Sequence, residues 1–127
     1  MRLNDDKLEL SRDLFGELVL KDCPQVFKAQ AENIVRMLNV GVLYSDYSTV
    51  SELDRMLVVD YWRDFDALPK TLDIEEFRDW YMKATNPDLV SRARRWLVEN
   101  RYIILPTAVA ERAQEAGSNF GRSVKGS

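Results

Sequence analysis

Apolar residues recur along this chain at helical spacing, and each run opens on a capping or breaking signal. From 24 to 39, Phe27, Ala31, Ile34, Val35 and Leu38 follow i, i+4, i+7, i+8, i+11 behind Pro24. Lys28, Gln30, Glu32 and Arg36 take the opposite face in mixed sign, which predicts a core helix with one solvated side. From 49 to 66, Thr49 and Glu52 form a capping pair, and Leu53, Met56, Leu57, Val58, Tyr61, Trp62 and Phe65 make an arc broad enough for burial on several sides. This run is expected to be the central helix, packed by the 24–39 helix on one flank and the 74–100 pair on the other. Asp73 with Glu76 then opens a helix marked by Ile74, Phe77 and Tyr81.

Thr85-Asn86-Pro87 stops that helix and starts the next, through a cap from Asn86 with Pro87 at the first helical position or from Thr85 with Asp88. On the wheel of the 87–100 helix, Leu89, Ala93, Trp96, Leu97 and Asn100 share a face. Asp88, Ser91 and Arg95 point away, flanked by Arg92 and Arg94. Leu10, Leu14 and Leu18 predict a first helix over 5–20, weakened by Gly16, with Met1 and Asp5-Asp6 as a frayed end. Val40 to Tyr44 reads as a short strand or an apolar connector, followed by a polar turn through Ser48.

Arg101 to Leu105 has strand composition and is closed by Pro106, but TAVAERAQEAG reads as one more short helix, so the second strand of a winged helix is missing. GSNFGRSVKGS, 117–127, reads as a flexible tail. The expected fold is mainly α: one helical domain over 1–116, with a helix-turn-helix over 73–100 and at most a rudimentary β element at 101–105.

Composition narrows the chemistry. With no histidine and a single cysteine, neither a zinc site of ordinary ligand content nor a Ser/His/Asp or Cys/His arrangement can be built, and no glycine-rich phosphate loop occurs. Cys23, beside Pro24 at a helix start, gains thiolate character from the helix dipole but has no base. Acidic pairs such as Asp54 with Asp60, Asp64 with Asp66 and Asp73 with Glu76 are accounted for by helix caps and solvated faces. No enzyme, cofactor or metal is expected. No run of about 18 apolar residues and no signal peptide occurs, and one cysteine allows no internal disulfide, so a reducing, intracellular setting without a membrane is expected.

Charge divides the chain. Residues 1–84 carry 11 basic and 17 acidic side chains, residues 85–127 carry 7 and 4, although the whole is −3. Basic character therefore begins at the 87–100 helix. A helix-turn-helix whose second helix exposes arginine points to double-stranded DNA, with Arg92 and Arg95 toward the groove, Ser91 near base edges, Arg94 and Arg101 on phosphates, and Asn86 at the helix start. The same spacing also fits arginines that only solvate a helix packed by its other side. Residues 46–79 hold 10 acids against 4 bases. A second class of function follows, a protein-binding surface in which Asp60, Asp64 and Asp66 mimic nucleic acid and Trp80 anchors the partner, set against an ordinary acidic face. The broad arc at 53–65 also allows a homo-oligomer.

The segments SELDRMLVVDYW and KATNPDLVSRARRWLVENRYIILPTAVAERAQEA resemble a group of small bacteriophage proteins with helix-turn-helix character. The resemblance rests on Ala84, Thr85, Asn86 and Pro87, then Arg92, Arg94 and Arg95, then Leu105, Pro106, Thr107 and Arg112, across roughly residues 51–116. It implies a phage origin, with the helix-turn-helix appearance pointing to a regulatory DNA-binding protein in the host cytoplasm; the alternative, an inhibitor that binds a host polymerase or defence nuclease, rests on the acidic half. VSELDRMLVVDYW and NPDLVSRARRW also resemble the small terminase subunits of phage packaging motors, which implies a ring-sized oligomer.

Overall fold

The computed structural model describes residues 1–106, so the helix expected over TAVAERAQEAG and the tail from 117 lie outside the described residues. The chain is mainly helical. Strand β1 (Arg2–Leu3) precedes α1 (Asp5–Leu10), and a 3-10 turn (Gln25–Phe27) leads into α2 (Lys28–Leu38). Then come α3 (Val50–Phe65), α4 (Ile74–Lys83), α5 (Pro87–Glu99) and β2 (Ile103–Ile104).

The capping signals work as the chemistry requires. Oxygens of the Thr49, Asp73 and Asn86 side chains accept from the backbone N–H of Glu52, Glu76 and Asp88, so α3, α4 and α5 each begin on a satisfied donor. Phe27, Ala31, Ile34, Val35 and Leu38 are all buried in α2 and its lead-in turn.

The centre of the domain is α5, not α3. It packs against α2, α3, the 3-10 turn and β2. Ala31 of α2 and Ala93 of α5 are fully buried, and side chains this small let helix backbones come close. The face that α5 turns inward, Val90, Ala93, Arg94 and Leu97, is rotated from the expected one. Leu89 and Trp96 are only partly buried, and Asn100 is exposed. On α3, Leu53, Leu57, Val58 and Tyr61 are buried, whereas Phe65 reaches the surface.

The first helix is shorter than its leucines suggest. Helix α1 ends at Leu10, and Asp13 begins a turn in which its carboxylate accepts from the backbone N–H of Phe15 and Glu17. Gly16, at φ +77°, completes the reversal, and Arg12 pairs with Leu18 across it. Leu10 and Leu14 are left in solvent, and the buried leucines of this region are Leu8 and Leu20. Local side-chain bonding overrides the four-residue repeat.

Nor does the chain fray at Met1. The Met1 side chain is buried, and its amine donates to the Leu43 carbonyl at 2.6 Å. Leu43 N–H donates back to the Met1 carbonyl, so the segment 40–44 is a connector tied to the N-terminal residues. Strands β1 and β2 pair antiparallel, Leu3 opposite Ile103 and Arg2 opposite Ile104.

Candidate nucleic-acid interface

Helix α5 is aimed by its entry turn. Thr85 is held from two sides: its N–H donates to the Asp66 carboxylate at 3.2 Å, and its carbonyl accepts from the Trp62 indole at 2.8 Å. Asn86 caps the helix and Pro87 opens it with φ already helical. The Asn86 side-chain oxygen is therefore engaged in starting the helix, a different task from reading a ligand.

Arg94, expected on phosphates, is turned into the fold. Its residue is 4% exposed, and its Nε and Nη2 donate to the two carboxylate oxygens of Asp54 at 2.8 and 3.1 Å. A buried guanidinium needs this bidentate partner because neither charge retains its water shell. The pair ties the first half of α3 to the second half of α5.

Ser91 and Arg95 share one side of α5 and face Ser51 and Arg55 of α3 across a groove of about 670 Å³. Its apolar lining comes from Val50, Val58, Val59, Trp62 and Pro87. Each helix thus contributes a serine followed four residues later by an arginine, on one helix face in each case. Arg55 and Arg95 are exposed and form no ion pair among the described residues. Sequence reasoning missed Ser51 and Arg55. The repeated Ser-x-x-x-Arg spacing on α3 and α5 is the signal that finds them.

The other expected DNA contacts are dispersed. Arg92 lies on the flank of α5 that faces the 3-10 turn, its guanidinium 5.7 Å from the centre of the Phe27 ring and 3.9 Å from the Asp88 carboxylate. Arg101 stands beyond the opposite end of α5 from Pro87, about 20 Å away at 1.5 Å per residue. It closes the helix: Arg101 N–H donates to the Val98 carbonyl at 3.0 Å, and Tyr102 N–H reaches the Leu97 carbonyl at 2.8 Å. This is a Schellman ending with Arg101 at φ +65°, where a side chain is strained. Arg101→Gly should raise stability by about 1 kcal/mol, read by urea unfolding. A decrease would mean that the arginine side chain outweighs the backbone strain.

Two of the three acidic candidates, Asp60 and Asp66, are tied into the fold. Asp60 accepts from the Tyr44 hydroxyl and pairs with Arg63 at 3.2 Å. Burial and that hydrogen bond push the Tyr44 phenol well above its ordinary pKa. Asp64 pairs with the same arginine at 3.1 Å and is exposed. Asp66 holds Thr85. Trp80 is no projecting anchor: its ring meets Trp62 edge-on with centres 5.3 Å apart, and its indole N–H donates to the Asp66 carbonyl at 2.7 Å.

Burial raises the Cys23 thiol pKa, against the thiolate expected from the helix dipole. Among the described residues no cluster of three histidine, cysteine or acidic side chains is placed to hold a metal ion, and no helix is long and apolar enough to cross a membrane. The chain matches no protein-family model, no curated protein and no solved structure.

Proposed function

We propose that the protein binds double-stranded DNA through the α3–α5 groove and acts as a phage-encoded regulator. The observation that carries this reading is the pairing of Ser51 and Arg55 with Ser91 and Arg95 around one groove, on a chain of net charge −3. An acidic protein that engages a polyanion has to concentrate cations locally, and this groove does so with two guanidiniums and two hydroxyl donors beside the Asp54 carboxylate, whose charge Arg94 offsets. Arg55 and Arg95 take phosphates of one strand, and Ser51 and Ser91 hydrogen-bond the same backbone. Arg94 takes no part except to fix the separation of the two helices. The alternative in which the acidic half imitates nucleic acid loses support, because Asp60 and Asp66 are engaged in holding Tyr44, Arg63 and Thr85.

Fluorescence anisotropy of labelled duplex DNA across a salt series tests this. Arg55→Glu and Arg95→Glu should each weaken binding about tenfold and reduce the slope of log K against log salt by about 1, the share of one phosphate contact. Arg101→Gly should leave affinity within about twofold, since phosphate contacts act at short range. Absence of binding by the wild type at about 50 mM salt, where phosphate attraction is strong, rejects the proposal.

A further inference from the structure

The turn that follows α1 holds up an apolar tip. Leu14 is 101% exposed and Phe15 89%, so neither contributes burial to the fold. The backbone beneath them is nonetheless fixed from several sides. Asp13 N–H donates to the Glu17 carbonyl at 2.9 Å and Gly16 N–H to the Asp13 carbonyl at 3.0 Å, while the Asp13 carboxylate accepts from Phe15 and Glu17. The Arg12 guanidinium closes the turn on the Gly16 carbonyl at 2.8 Å. Two large apolar side chains are thus presented on an ordered backbone, which lowers the entropy that docking them costs.

The charge around the tip selects what can receive it. Asp13 and Glu17 are both exposed, against Arg12 alone, so the turn is net negative. That sign disfavours nucleic acid and an anionic lipid surface and suits a cationic recess with an apolar floor. The α3–α5 groove has this character. Val50, Val58, Val59, Trp62 and Pro87 line it beside Arg55 and Arg95, and Arg94 offsets the charge of Asp54. At about 670 Å³ it has the size of a pocket that engulfs a ligand, and the tip of the same chain is not part of its lining.

We infer that the Leu14–Phe15 tip of one copy docks in the α3–α5 groove of a second copy, with Asp13 and Glu17 toward Arg55 and Arg95. The contact is heterologous, so each copy offers one tip and one groove. A tip of two side chains buries little area, which makes the association reversible and concentration-dependent. The inference rests on the shape and charge of the groove, does not depend on DNA binding, and is tested without DNA.

Sedimentation equilibrium from about 1 to 500 μM, a span chosen around the micromolar affinity of a small interface, should show the average mass rising above 14.8 kDa. Leu14→Ser with Phe15→Ser keeps the backbone bonds of the turn, so it should hold the wild-type urea midpoint and weaken association about tenfold or more. Val59→Glu with Arg95→Glu, at two exposed positions of the groove, should weaken it as much. Mixing these two variants is the sharper test. One supplies an intact groove and the other an intact tip, so together they should form a one-to-one pair that neither forms alone. Should the groove variant lose its urea midpoint, Arg55→Glu takes its place in the mixture. A wild type that is monomeric throughout, a tip variant that still associates, or a mixture that fails to pair each overturns the inference.

Discussion

Replacing Arg94 with alanine should destabilise the protein by about 3–5 kcal/mol, the range for breaking a buried ion pair by removing one partner. The loss comes less from the bond than from what remains. Asp54, with its side chain 17% exposed, would keep a charge that burial has stripped of most of its water and that nothing replaces. Asp54→Ala should do comparable damage from the other side. Converting both to apolar residues, Asp54→Leu with Arg94→Met, should recover most of the stability, because two desolvated charges disappear together. Urea unfolding of the wild type and the three variants reads these differences. A cost below about 1 kcal/mol for Arg94→Ala would make the pair equivalent to a surface salt bridge and contradict its burial.

Trp62→Ala should cost about 3 kcal/mol, near the lower end for removing a large aromatic, since Trp62 is only partly buried. Its ring carries edge-on contacts to Trp80 and Tyr81, and its N–H holds the Thr85 carbonyl in the turn that aims α5. Loss of the ring should release α4 more than the core. Amide exchange in 74–83 should then approach that of an isolated helix while α2 stays protected. Trp62→Phe, which keeps a ring but no donor, should cost about 1 kcal/mol. Unchanged exchange in α4 after Trp62→Ala would show that another contact fastens it.

How legible this fold is from sequence depends on how local each cause is. The starts of α3, α4 and α5 are written in Thr49, Asp73 and Asn86, whose side chains act within three residues, and the buried stripe of α2 follows a regular apolar repeat. The failures are of two kinds. Leu10, Leu14 and Leu18 keep helical spacing, but the Asp13 turn with Gly16 competes successfully against it over the same few residues. Arg94 fails for the opposite reason. An arginine is assigned outward by default, and the aspartate that permits its burial lies forty residues earlier. With Arg94 inward, the buried face of α5 is centred on Val90 and Leu97 and not on Leu89 and Trp96. The candidate site was half visible, in Ser91 and Arg95. Its other half, Ser51 and Arg55, sits on a helix read as core, and it appears only when α3 and α5 are brought face to face.

The small sheet has a meaning in polymer terms. Pairing Leu3 with Ile103 closes a loop of about one hundred residues, and for a free chain such closure costs roughly 4 kcal/mol or more in entropy. A two-residue ladder, at about 1 kcal/mol net per hydrogen bond, offers too little to close that loop unaided. The balance changes once α2, α3 and α5 have packed, because the assembled helices already span most of the loop and Met1 and Ile103 gain burial as the strands meet. The ladder is thus a consequence of the helical core, which brings the strands together, and not the seed from which that core grows.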